Sequence, residues 1–275
     1  MIAGRIGPDA RRYLAAASGT PVPRPFHLRW LLPYCCGSSL RAWWWVWAIS
    51  WPVAAAGMFA WIAPQHGWQI AAAATALLLS LPGILGPSVV IPVGVDLPAT
   101  AVTLVGVALI ATDNPWHITA GVLLLVLAAT IRETAPVWAA LWVWSPWPLL
   151  ALVAPLIAHL VRKQGPDPLG ERFQLIADHP VRSALEHHHG RWRDAWLLVA
   201  PWGACLAALI GADWQLVVVL IVAYLQLLVA TDTVRLIHHA AGPPMAFAAA
   251  HVIPIQWLLL VCVVHAVWWR APERV

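Results

Sequence analysis

The sequence predicts an all-α fold, a polytopic transmembrane helical bundle of about eight or nine membrane segments with short interfacial helices beside it. Three observations predict it. Only 10% of the 275 residues are charged, against roughly 25% in soluble domains. The mean hydropathy is +0.74, and the apolar residues run the length of the chain, as in one membrane domain rather than an anchored soluble one. The apolar runs are repeatedly cut by proline, so several are shorter than the roughly 20 residues a full crossing needs.

The elements follow in order. Residues 1–41 read as an interfacial segment, with Pro8 suited to the first helical position and Gly19 to the stop, a short helix over Pro8 to Ser18. No cleavable signal is expected, because the first long apolar run begins near Ala42. Residues 42–161 form a first bundle, with spans at Ala42 to Ala63, Trp68 to Gly86, Leu97 to Thr112, His117 to Ile131, and Ala135 to Val161. The last is interrupted by Ser145 to Pro148, which makes it one kinked helix or two short ones. Residues 162–194 are the long extramembrane loop, with an amphipathic surface helix expected over Leu169 to Ala177. Residues 195–275 form a second bundle, with spans at Ala195 to Ile210, Trp214 to Ala230 and Pro243 to Trp269, the last containing Pro254. The short segments are expected to tilt or to thin the bilayer.

The chain carries 20 tryptophans. Trp favours the headgroup level, where its ring is buried and its N–H stays wet, so the clusters at Trp43 to Trp51 and Trp138 to Trp147 read as interface belts and packing before a sugar-stacking platform. The net charge of +4 comes almost wholly from arginine, Lys163 being the lone lysine. Scattering of the basic residues around apolar spans argues against nucleic acid. Cys35, Cys36, Cys205 and Cys262 lack zinc spacing, and adjacent Cys35 and Cys36 suit an ordinary disulfide poorly. No cofactor and no metal is expected. The Glu186 to Asp194 stretch, with His187, His188 and His189, reads as a solvated loop, because three consecutive histidines cannot all reach one ion from a helix.

Three polar constellations carry candidate chemistry. Asp9, Arg12 and Tyr13 fall at i, i+3 and i+4, one face of the first helix; an acid there also complements the helix dipole. Arg132 and Glu133 end an apolar helix, pointing about 100° apart, and need not pair with each other. Asp232, Arg235 and His239 make one stripe of a helix, with His238 on its flank; ionisable groups between membrane segments are costly unless they meet a partner or a cavity. His251 and His265, on one apparent helix, have a spacing that membrane cytochromes use for two haems, but no matching pair stands on a second helix.

Asp9-Ala-Arg-Arg-Tyr13-Leu-Ala, followed by Pro25-Phe26-His27-Leu28-Arg29-Trp30-Leu31-Leu32-Pro33, resembles the first external loop of bacterial GT-C-fold glycosyltransferases. Thr130-Ile131-Arg132-Glu133-Thr134 is similar to their short charged inter-helix motif, and Thr231-Asp232-Thr233-Val234-Arg235, with Pro243 and Pro244 after it, to their late motif. The resemblance implies a polytopic enzyme of the cytoplasmic membrane that takes a sugar from a polyprenyl-phosphate carrier. Asp9 would then be the catalytic carboxylate, acting on the acceptor hydroxyl. Arg132 and Arg235 would hold the carrier phosphate, Tyr13 and Arg29 would shape the pocket, and Arg12, Glu133, Asp232 and His239 would complete the substrate site. Two departures from the family are the lack of a transmembrane helix before the acidic loop and of a soluble acceptor-binding domain.

If Ser145 to Pro148 splits its segment into two crossings, Asp9, Arg132, the long loop and Arg235 share one membrane face. All the basic residues but Arg270 and Arg274 then share it too, so the positive-inside rule calls that face cytoplasmic, whereas the family works outside. The rival expectation is a non-catalytic scaffold or transport subunit with a membrane-protein partner, its polar stripes structural ion pairs. The expected partners are otherwise membrane lipids and the lipid-linked donor.

Overall fold

A computed structural model describes residues 8–85, 93–166, 181–182, 198–228 and 233–268. Among these the chain is all helical, with no strand. Leu169 to Ala177, the three consecutive histidines and Asp232 lie outside the described residues. The chain divides into two compact units, Met1–Ala54 with Ser88–Pro180, and Ala55–Pro87 with Val181–Val275. This grouping cuts across the expected division into residues 1–41, 42–161 and 195–275.

In the first unit, α1 (Pro8–Ala17), a 3₁₀ turn (Phe26–Leu28) and α2 (Leu31–Cys36) precede α3 (Leu40–His66), whose first half belongs here. The N-terminal segment is packed rather than draped. Tyr13, Phe26, Leu32 and Trp43 are buried in one cluster with Val95, Ala99 and Ile131. Then come α5 (Asp96–Ile110), α6 (Pro115–Ile131), α7 (Ala135–Val143), a 3₁₀ stretch (Trp147–Leu152) and α8 (Val153–Val161). Asn114 caps α6, its side chain accepting from the Trp116 N–H at 2.9 Å, with Pro115 in the first turn where no N–H is missed. Helices α5 and α6 approach closely at Gly106 and Gly121: a Cβ on Gly121 would lie 2.7 Å from the Gly106 carbonyl oxygen. Trp144 turns left-handed (φ 52°) and ends α7, so the proline-rich interruption yields two separate short pieces.

The second unit holds the rest of α3, α4 (Trp68–Ser80), a 3₁₀ stretch (Ala200–Gly211), α9 (Trp214–Leu225) with a terminal turn (Gln226–Leu228), α10 (Thr233–Val252), a 3₁₀ turn (Ile255–Trp257) and α11 (Leu258–Trp268). Asp213 caps α9, accepting from the Leu216 N–H at 2.8 Å. Its core gathers Leu77, Leu78, Leu81, Trp202 and Ile237. Helix α10 departs from expectation at both ends: it runs through Pro243 and Pro244 instead of starting there, and it ends before Pro254. The bend between Arg235–Val252 and Ile255–Val267 is 119°, so His251 and His265 stand on two helices.

Among the described residues one helix, Leu40–His66, is long and apolar enough to cross a membrane, its hydropathy 1.5 over a window only 28% buried. The bent pair passes the same test jointly, while the other apolar helices fall short of a crossing length. Trp68, Trp116 and Trp214, each in the first turn of its helix, are exposed. Leu156, Ile157 and Leu160 on α8, and Leu259, Val263 and Val267 on α11, also face outward. Contiguous outward apolar faces belong against lipid or a protein partner.

Candidate functional site

The site in the first unit is built around Arg29, the residue after the Phe26–Leu28 turn. Its Nε donates to Glu133 Oε2 at 2.7 Å and its terminal nitrogen to Oε1 at 2.8 Å, a two-pronged pairing that guanidinium geometry allows and ammonium does not. Its other nitrogen donates to the Tyr13 hydroxyl at 3.0 Å. Glu133 sits between α6 and α7, and Tyr13 on α1, so one side chain ties three distant segments together. Burial alone would raise the Glu133 carboxyl; the charge and hydrogen bonds of Arg29, with the charge of Arg132, hold it below its ordinary value.

Arg132 turns away from its sequence neighbour. It pairs with Asp96 in the first turn of α5, and its Nε donates to the Thr134 hydroxyl at 3.3 Å. Both members of the Arg132–Asp96 pair are buried, a placement tolerated only when each charge is answered. On α1, Arg12 donates to Asp9 at 3.2 Å; its own side chain is 6% exposed, whereas that of Asp9 is 31% exposed. The Arg12 and Arg29 guanidiniums lie 5.2 and 5.7 Å from the centre of the Phe26 ring, and Tyr13 meets that ring edge-on at 5.2 Å. Three acids, Asp9, Asp96 and Glu133, thus face three arginines, Arg12, Arg132 and Arg29.

Six of the expected site residues, Asp9, Arg12, Tyr13, Arg29, Arg132 and Glu133, therefore meet in this unit. Arg235 and His239 lie on α10 in the other unit, where His239 is buried. His238, expected only on the flank, is fully buried; its Nδ1 accepts from the Gly83 N–H at 2.8 Å and its ring lies 4.6 Å from that of Trp202. His265 accepts at Nε2 from the Ala204 N–H at 3.1 Å and bonds Ser80 through Nδ1 at 3.1 Å. His251 meets His66, ring centres 5.3 Å apart. Among the described residues no three His, Cys, Asp or Glu side chains gather as a metal would require.

Sequence reasoning missed Asp96, Phe26 and His27. Asp96 was legible as a lone acid between apolar runs, which must find a cation when buried. Phe26 and His27 carried no such mark, since their roles depend on what α1 and α8 bring to them. No family model matches the chain, and no curated protein or solved structure is similar to it.

Proposed function

We propose that the chain is a GT-C-like integral membrane glycosyltransferase that moves a sugar from a polyprenyl-phosphate donor. One observation carries the reading: Arg29 joins Tyr13 to Glu133, so three separate phrases of the resemblance meet around one side chain. In this reading Asp9, the most exposed of the paired carboxylates, serves the acceptor hydroxyl. Tyr13 and Arg29 wall the pocket. Arg132, whose charge Asp96 already answers, holds α5 to the Arg132–Thr134 loop. The shorter apolar helices lie in the cytoplasmic membrane beside Leu40–His66 as further segments, tilted or in thinned bilayer, making the protein multi-pass.

A second reading, a non-catalytic membrane scaffold or transport subunit, draws on the balance of the same cluster: each of its three acids has an arginine counter-charge, as structural ion pairs would. Asp9→Asn separates the two. With lipid-linked sugars as donors, the enzyme loses transfer by roughly 10²–10⁴-fold while folding normally. A purified wild-type protein that transfers no sugar, or a variant as active as wild type, sinks the catalytic role of Asp9.

A further inference from the structure

His27 poses a problem that the cluster above does not solve. The residue is 3% exposed, and among the described residues neither ring nitrogen has a hydrogen-bond partner. A neutral imidazole carries one N–H and one lone pair, and leaving such a group dry and unmatched is costly. The nitrogens therefore point to a partner from outside the chain.

The surroundings say what kind. His159, on the last turn of α8, meets the His27 ring at 6.0 Å, edge to face. Arg24 lies three residues before His27, and Arg162 caps α8 three residues after His159. The guanidinium of Arg162 lies over Trp30, its carbon 5.4 Å from the ring centre. The Gly165 N–H donates to the Val22 carbonyl at 3.2 Å, holding the end of α8 to the 20–30 loop. No ion pair takes up Arg24 or Arg162 among the described residues, and the neighbouring acid, Glu133, is gripped on both oxygens by Arg29.

We propose that His27, His159, Arg24 and Arg162 form a binding site for a phosphate group, at the corner where α8 meets the N-terminal loop. Two permanent cations and two imidazoles offer more donors than a carboxylate can accept, and a tetrahedral phosphate accepts on several oxygens. The charges felt at His27 agree: after burial, His159, Arg24 and Arg162 all disfavour a further proton there, with Glu133 alone opposing them, and the ring is held at about 4. The phosphate of a membrane lipid fits best, because the exposed side chains of Leu156, Ile157 and Leu160 continue outward from His159 along α8, where acyl chains would lie. The proposal does not rest on the sugar-transfer reading, and it stands whether or not the chain transfers a sugar.

The test is calorimetric titration of the full chain in neutral detergent with dioctanoyl phosphatidic acid, dioctanoyl phosphatidylcholine and inorganic phosphate. The phosphatidic acid should bind, and Arg162→Gln and His27→Phe should each weaken it about tenfold or more, the loss of one charge-assisted contact. Arg162 is exposed, so its variant folds; His27→Phe replaces an unmatched polar group by an apolar one and should be at least as stable as wild type. Inorganic phosphate binding as tightly, with the same losses, would keep the site but make its ligand free phosphate. Binding unchanged in both variants, or equal for phosphatidylcholine, overturns the proposal. No binding by any probe overturns it too, leaving His27 a buried histidine matched by water.

Discussion

Replacing Arg29 tests the centre of the first unit. Arg29→Met keeps length and apolar bulk but removes the charge and all three hydrogen bonds, two to Glu133 at 2.7 and 2.8 Å and one to Tyr13 at 3.0 Å. The Glu133 side chain, 18% exposed, is then a nearly dry carboxylate without its main counter-charge. Stranding one member of a buried pair costs about 3–5 kcal/mol, and the Tyr13 hydroxyl loses a contact worth about 1 kcal/mol. Arg132, whose charge also acts on Glu133, should keep the total towards the lower end of that range. Glu133→Leu strands Arg29, 12% exposed, by the same reasoning and should cost a similar amount. The double variant, with neither charge buried, should lie within about 1–2 kcal/mol of wild type, because a buried ion pair and its apolar replacement are nearly equal in stability. The assay is unfolding of the purified chain in mixed micelles titrated with dodecyl sulfate, followed by helical circular dichroism, and read as a double-mutant cycle. A coupling energy below about 0.5 kcal/mol would mean a solvated surface pair and would refute the reasoning.

Acid should destabilise the protein through His27. Its folded value of about 4 lies below the ordinary 6.5, so its contribution is whole above pH 6.5 and is lost as pH falls towards 4. Melting temperatures at pH 7 and pH 5 should therefore differ more in wild type than in His27→Phe; an equal difference refutes the assignment. Gly121→Ala would gain helix propensity on an exposed face, but here its Cβ meets the Gly106 carbonyl and Ile110 Cγ1, both at 2.7 Å. Overpacking should win by about 1–3 kcal/mol in the same micelle titration, and a stabilised variant would disprove the close approach of α5 and α6. With Cys205 and Cys262 replaced by serine, a maleimide at pH 7 should label exposed Cys35 rapidly. It should label Cys36, buried and with its thiol pushed up to about 11, only after unfolding. Equal rates would contradict the packing of α2, and labelling of intact spheroplasts with an impermeant reagent also reports the side on which this segment lies.

Composition determined that the chain is apolar, and its apolar runs, though cut by proline, determined that it is helical, because the strands of a barrel would alternate apolar and polar residues instead. Local chemistry determined two helix starts: Asn114-Pro115 and Asp213 act within a few residues, so their caps were readable as tight loops between runs. The proline break was readable for the same reason at Ser145 to Pro148, but not at Pro254, where one continuous span was expected, nor at Pro243-Pro244, which α10 absorbs through packing that no local rule reports. The charged residues were legible as residues worth watching, since a charge beside apolar spans must be answered. Which partner answers each was not. Arg132 and Glu133 are neighbours in sequence, yet one pairs with Asp96 and the other with Arg29, because the loop after α6 aims them at different elements. Pairing of buried charges is a property of approach between distant segments, and only the tertiary structure decided it.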